Sequence, residues 1–381
     1  MKKTLTTTVS AALLALGMAG TAHAELKLGA SISATGPAAF LGDPEAKTLE
    51  MLVEKLNAAG GINGQKIKLV LYDDGGDANK ARTFATRLIE DDKVDAIIGG
   101  TTTGPSMSIL AVAEDAEVPF ISLAGAIDII KPVKPYTFKT PHTDRMACQK
   151  IFEDMKKRGI TKIGMISGTD GFGASMHAQC KDVVGEFGIA IVADETYDPK
   201  DADMTAQLTK IKNAPGVQAV LNPGFGQGPS IVTRNYRQLA IALPLYQSHG
   251  VASDGFIQLA GKEAAEGVRL PGTALLIADL LPDNDPQKPA VSGYKAAYEG
   301  KYNQPVGTFG GYAHDAFALL VDAVTRAKST KPKAIRDALE KTSGLPGTTG
   351  VYTMSPKDHL GLDLSAFRML EVKDGKWTVV E

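Results

Sequence analysis

The chain has 381 residues, with 41 Lys and Arg against 43 Asp and Glu, a net charge of −2, and 44% hydrophobic residues. That balance lacks the basic excess needed to neutralise phosphates, which excludes nucleic acid as a natural partner. A chain of this length exceeds what one hydrophobic core usually supports, so two domains are expected.

Met1-Lys2-Lys3 supplies a positive start, an uncharged and mostly apolar stretch runs through Gly20, and Thr21-Ala22-His23-Ala24 ends in a small-x-small pattern. This reads as a cleaved secretory leader over residues 1–24, with the mature protein starting at Glu25. No cysteine follows the cleavage site, which argues against a lipid anchor. No later stretch approaches the roughly twenty apolar residues of a membrane span.

From Leu26 onward, short apolar runs alternate with helical patterns. Strands are expected at Leu26 to Ser33, Ile67 to Tyr72, Ala96 to Gly99 and Pro119 to Ala124. Between them, Leu49, Leu52, Val53 and Leu56 mark one helix face, a second helix covers about Asp77 to Asp92, and a third opens near Gly104. Such alternation predicts a parallel sheet with helices on both faces. The pattern restarts after Pro141, with helices at about Asp144 to Lys157, Gly173 to Phe187, Asp203 to Lys212 and Pro229 to Leu239. The strands of this second unit fall at Lys162 to Ser167, Ile191 to Thr196 and Ala219 to Asn222. Beyond Gly272, Leu275 to Leu280 reads as a strand, and helices follow at about Pro289 to Tyr302, Tyr312 to Ala327 and Lys333 to Lys341. A Gly/Pro-rich passage from Ser343 to Gly350 leads to two terminal strands, Phe367 to Val372 and Trp377 to Val380. No low-complexity linker separates the units, which predicts lobes joined by several short crossings. Cys148 and Cys180 sit on neighbouring predicted helices, and either a disulfide or two buried thiols fits that placement.

Enzyme signatures are absent. The six histidines include no pair at metal-ligand helical spacing, and no G-x-S-x-G elbow, P-loop or His-Glu-x-x-His occurs. Gly224-Phe225-Gly226-Gln227-Gly228 follows a strand but lacks dinucleotide-binding spacing. Asp73 and Asp74 are adjacent on a strand and so point to opposite faces, unsuited to shared acid/base work. No metal site, cofactor or catalytic residue is expected. The run Gly99-Gly100-Thr101-Thr102-Thr103-Gly104-Pro105-Ser106 joins a buried strand to a helix with Pro in its first turn. Its hydroxyls and free helix N–H groups form a candidate carboxylate site, placed where open α/β sheets bind ligands.

Thr35-Gly36-Pro37, Leu41-Gly42-Asp43, Asn57-Ala58-Ala59-Gly60-Gly61-Ile62-Asn63-Gly64, Tyr72-Asp73-Asp74, the Gly99 to Ser106 turn and Ala265-Glu266-Gly267-Val268 together resemble the leucine/isoleucine/valine class of type I periplasmic binding proteins. The likeness runs over essentially all of Glu25 to Glu381. It implies a monomeric periplasmic capture protein for an inner-membrane ATP-driven permease. The implied fold is α/β, with two Rossmann-like lobes of parallel sheet closing like a flytrap about three hinge crossings. Residues 25–142 and 273–345 would form one lobe, and 143–272 and 346–381 the other.

Carried across from that class, the ligand-binding positions fall on Leu41, Thr102, Thr103, Ala124, Ala126, Phe172, Asn222, Phe225, His249, Phe309 and Tyr312. Leu41 stands where a tyrosine is expected, and Ala126 where a threonine is. Amino-acid binders of the class place an acid just before a Gly-Val-Ala to pair the ligand's ammonium. Here the run is Gln247-Ser248-His249-Gly250-Val251-Ala252. Leaving an ammonium desolvated and unpaired costs several kcal/mol. The expected ligand is therefore a small carboxylate without an ammonium, such as an aromatic or 2-oxo acid, its ring between Phe172 and Phe225 and its polar substituent read by His249. A branched-chain amino acid, or a sensing role for the same clamp, is the alternative.

Overall fold

The computed structural model of the protein describes residues 25–380, so the leader expected at residues 1–24 lies outside them. The first unit runs β1 (Leu26–Ile32), α1 (Ala39–Ala58), β2 (Ile67–Asp73), α2 (Ala78–Glu90), β3 (Ala96–Gly99), α3 (Thr103–Asp115), β4 (Phe120–Ser122) and β5 (Thr137–Lys139). All five strands are parallel, in the order β2-β1-β3-β4-β5. Alternate residues of β1 (Leu26, Leu28, Ala30 and Ile32) are fully buried in a core with α1. The other face, including Ile97 and Phe120, packs under α2 and α3. Strands covered on both faces need continuous apolar character, which is why these segments read clearly from sequence.

The second unit comprises α4 (Asp144–Lys157), β6 (Lys162–Gly168), α5 (Gly171–Val183), β7 (Ala190–Tyr197), α6 (Thr205–Lys212), β8 (Ala219–Asn222), α7 (Gly228–Gln238), β9 (Leu245–Gln247), α8 (Asp254–Ala260), α9 (Lys262–Ala265) and β10 (Arg269–Gly272). Its parallel part is ordered β7-β6-β8-β9-β10, the same topology as the first sheet. Cys148 and Cys180 are joined in a disulfide that ties α4 to α5 across a sequence separation of 32. Closing such a loop stabilises by about 3–4 kcal/mol in the chain-entropy description.

The chain then adds α10 (Lys288–Tyr302), α11 (Thr308–Ala327), α12 (Pro332–Leu339), a short ladder of β11 (Leu345–Pro346) and β12 (Val351–Tyr352), and the hairpin β13 (Arg368–Lys373) and β14 (Lys376–Val379). Helix α11 returns to the first unit, burying Phe317, Leu320 and Val324 against it. The terminal hairpin joins β10 antiparallel, so the second sheet carries an antiparallel edge beside its parallel core.

Leu275 to Leu280, expected as a strand, forms 3-10 turns across Ala274–Leu280. A short apolar run does not by itself distinguish strand from buried turn, and Leu275 and Ile277 are buried in the core that also holds α10 and Trp377. Strands β5, β9 and β10 and helices α8 and α9 were not anticipated, since three- to seven-residue elements carry too few periods to read. The chain passes between units after β5, after β10 and again shortly before β13. The expected third boundary at residue 345 falls early. Tyr352 and Met354 pack in the first unit's core, Leu360 joins its other face, and Phe367 is the first residue to enter the second. Tyr352 Oη donates to Thr140 O and Asp315 Oδ2, each at 3.1 Å, which binds this segment to the first unit.

Candidate functional site

Both sheets place their first strand between their second and third, and loops leaving the carboxyl ends on either side of such a switch point form a crevice. Here the two crevices face each other. Between them lies a cleft with about 410 Å3 of atom-free space, part of it open to solvent. Its walls carry Leu41 from beyond β1, Thr101 to Thr103 from beyond β3, and Leu123 to Gly125 from beyond β4. Phe309 and Tyr312 come from the start of α11, facing Phe172, Phe225, His249 and Gly250 from the loops after β6, β8 and β9.

The first-unit wall is a helix start. Thr102 holds the N-cap position of α3, but its side chain makes no capping hydrogen bond. The Thr103 hydroxyl is buried without a partner, whereas the Thr101 hydroxyl is committed, accepting from Ser33 N at 3.0 Å and donating to Glu45 Oε2 at 2.6 Å. An uncapped helix N-terminus with a spare hydroxyl is an anion site, and its dipole adds about 0.3–1 kcal/mol, more when partly buried. Leu41 reaches this wall because α1 begins hard against the end of β1. A Cβ on Gly42 would lie 2.1 Å from Ser33 O, so only glycine fits there.

The second-unit wall is aromatic. Asp170 caps α5 by accepting from Phe172 N and Gly173 N, which anchors the backbone that carries Phe172. Phe172 meets Phe225 edge-to-face at 6.1 Å between centroids, and His249 in the same manner at 5.3 Å. A ring sandwiched between Phe172 and Phe225 would need about 7 Å between parallel faces. The two rings instead meet edge-to-face with no parallel gap between them, so the sandwich geometry expected from sequence is not formed by these two side chains. Both ring nitrogens of His249 are buried without partners. Burial, then the nearby Lys139 charge, push His249 down to about 3, so it faces the cleft as a neutral imidazole with one donor and one acceptor. The units meet at Gly125, where a Cβ would lie 2.8 Å from Phe172 Cε2 and 3.0 Å from His249 Nε2.

No lining residue carries a charge. The buried acid Glu45 stands behind Thr101, accepting from its hydroxyl, and burial pushes its carboxyl well above the usual range. Lys139 is fully buried just behind the wall and donates to Gly125 O at 2.8 Å and Ala126 O at 3.3 Å. Burial lowers it to about 7, against the raising effect of Asp144.

Nine of the anticipated positions thus converge on the cleft (Leu41, Thr102, Thr103, Ala124, Phe172, Phe225, His249, Phe309 and Tyr312). Two do not. Ala126 turns into the first unit's core beside Ile129 and Ile130, its carbonyl held by Lys139. Asn222 lies inside the second unit, its Nδ2 donating to Ile166 O at 2.5 Å and Tyr197 Oη at 3.3 Å. Thr101 lines the cleft as part of the anticipated Gly99 to Ser106 turn, whereas Leu123, Gly125, Pro141 and Gly250 line it without having been anticipated. Locating the carboxyl ends of β5 and β9 in sequence would have pointed to Pro141 and Gly250. Among the described residues no helix is long and apolar enough to cross a membrane.

A family model described as periplasmic binding protein matches residues 25–376. The crystal structure of an extracellular ligand-binding receptor from Rhodopseudomonas palustris HaA2 superposes with a TM-score of 0.87 at 32% identity, covering 94% of this chain and 100% of that one. A branched-chain amino acid transporter substrate binding protein from Streptococcus pneumoniae, in complex with isoleucine, superposes at 0.82 with 26% identity, covering 94% of this chain and 99% of its own. A leucine-, isoleucine-, valine-, threonine- and alanine-binding protein from Pseudomonas aeruginosa is 26% identical over 316 residues, 82% of each chain.

Proposed function

Because the chain belongs to the periplasmic binding protein family, we propose that it is the exported solute-binding component of an ATP-driven importer and catalyses no reaction. It captures a small monocarboxylate, preferentially an aromatic or 2-oxo acid, by closing its two lobes on it. It then delivers the ligand, as a monomer, to an inner-membrane permease. The carboxylate sits at the start of α3 against Thr102, Thr103 and the Ala124 to Gly125 backbone. The apolar body lies on Phe172, Phe225 and Phe309, and neutral His249 exchanges a hydrogen bond with a keto or hydroxyl substituent.

The observation that carries this reading is the uncharged lining. An ammonium entering the cleft finds no ionised carboxylate, since His249 occupies the expected acid position and Glu45 is both displaced and pushed toward its neutral form. Closure follows because the two halves of the ligand are recognised by different lobes, so only the closed state satisfies both.

A second reading, a branched-chain amino-acid binder, is supported by relatives whose names specify leucine, isoleucine and valine and by the similar structure in complex with isoleucine. In it, the unpartnered Tyr312 hydroxyl and the His249 lone pair would take the place of the acid. Thermal unfolding of ligand-stripped protein against aromatic acids, oxo acids and amino acids separates the two. Binding to the native state alone raises stability by about 2.7 kcal/mol at a hundredfold excess over Kd. A rise in Tm with the acids lacking an amine supports the first reading, and a rise confined to leucine-like amino acids replaces it with the second.

A further inference from the structure

Phe309 separates the cleft from a second space of about 670 Å3, part of it open to solvent, also formed between the two lobes. Phe309 lines both spaces, and the consecutive residues Phe225 and Gly226 contribute one to each. The second chamber is apolar on both sides, with Phe40 and Val306 facing Val251, Phe256 and Leu259. Phe40 packs edge-on to Phe309 at 5.8 Å, so the partition is a pair of side chains rather than backbone. Leu259 is 49% exposed at its rim, one of the few large apolar side chains left in water. The chamber's single charged lining group is Asp254.

We propose that this chamber is a distal subsite for the tail of the ligand, so that the preferred substrates are extended monocarboxylates, ω-aryl or alkyl acids longer than benzoate, and not dicarboxylates. The inference rests on the carboxylate site proposed above. The carboxylate is anchored at the start of α3, the body crosses Phe225 and Phe309, and the tail buries Leu259 and Val306. Phe309 is a wall of both spaces, so a ligand lying on that ring from the carboxylate site is the occupant nearest the second space. Asp254 faces the tail's end, where a second carboxylate would meet like charge in a partly desolvated pocket. Each methylene brought from water into such surroundings strengthens binding about three- to fourfold.

The test titrates benzoate, 3-phenylpropanoate and 5-phenylpentanoate by calorimetry into the native protein and into Gly255→Leu. Gly255 lines the chamber, and a Cβ there meets only Ser253 Oγ, at 3.6 Å, so the added side chain fills space without a backbone clash. The expected result is affinity that climbs with length in the native protein and a climb abolished in Gly255→Leu, with benzoate unchanged. A parallel arm, independent of that variant, compares nonanoate with nonanedioate in native protein and in Asp254→Asn. The dicarboxylate should bind at least tenfold more weakly than the monocarboxylate, and Asp254→Asn should recover most of the difference. Benzoate binding with no gain from length, or equal affinity for mono- and dicarboxylate, overturns the distal subsite and leaves the carboxylate site standing. Failure of every acid alongside tight binding of leucine overturns both.

Discussion

The first-lobe wall of the cleft offers a helix start, two threonines and backbone beside Leu41, Phe309 and Tyr312, while the second-lobe wall offers two phenylalanine rings and an imidazole that stays neutral. In the proposed mode the carboxylate is read by the first lobe alone, and the rest of the ligand by side chains of both lobes, which would tie recognition to closure. The difference also locates selectivity. Exchanging the second wall should change which carboxylate binds, whereas damaging the first should weaken all of them.

The largest effect is expected where the walls meet. Gly125→Val places new atoms where Phe172 and His249 already approach the backbone. Overpacking there costs about 3 kcal/mol, the upper end of the usual range, and falls only on the closed state. Affinity should drop about a hundredfold for every ligand, with small-angle scattering showing a protein that stays open when ligand is added. Thr103→Val removes the spare hydroxyl at the start of α3. Losing one hydrogen bond to a charged group costs about 1.5–3 kcal/mol, so calorimetry should show tenfold or greater weakening, equal for aromatic and aliphatic acids. Phe225→Ala attacks the second wall alone and should cost aromatic acids roughly fivefold through lost ring contact, with little change for 4-methyl-2-oxopentanoate. If it weakens both equally, Phe225 does not discriminate a ring from an alkyl chain.

The smallest effect concerns pH. With His249 depressed to about 3, its charge does not change between pH 5 and 8, and it contributes no pH dependence there. Lys139, lowered to about 7, is cationic below that value and loses its proton above it. An anion bound beside Gly125 is favoured by the charged form, so carboxylate affinity should be flat from pH 5 to 6 and fall, by roughly tenfold or less, as pH rises through 7 to 9. Lys139→Met should flatten the profile, and a slope that survives that change would assign the titration to another group.

Much of the fold was legible because strands buried on both faces must be apolar throughout and the helices between them must be amphipathic. Helix α4 was read at its observed limits, as were strands β3 and β8. What escaped was short or shaped by tertiary packing. β5 and β9 have three residues each, and the apolar run at Leu275 folds into turns because the neighbouring helix and hairpin bury it without strand partners. At the site, the Thr101 to Thr103 turn announced itself through its position after a buried strand. Sequence did not reveal which hydroxyl is spare, since Thr101 is spent on Glu45, a residue 56 positions away. It also placed Ala126 and Asn222 in the cleft, when each belongs to its own lobe's interior. The second chamber had no sequence signal, because its walls come from separate segments, among them the starts of α1, α8 and α11, that are ordinary singly.

The central claim is that the cleft selects carboxylates without an ammonium. Leucine and 4-methyl-2-oxopentanoate share a carboxylate and a side chain and differ only in amine against ketone. Titrating both by calorimetry into ligand-stripped protein at pH 6.5 isolates that difference. The oxo acid should bind at least tenfold more tightly, as the uncharged lining and neutral His249 require. Tighter binding of leucine would contradict the account and show that Tyr312 and His249 suffice to hold an ammonium without an acid.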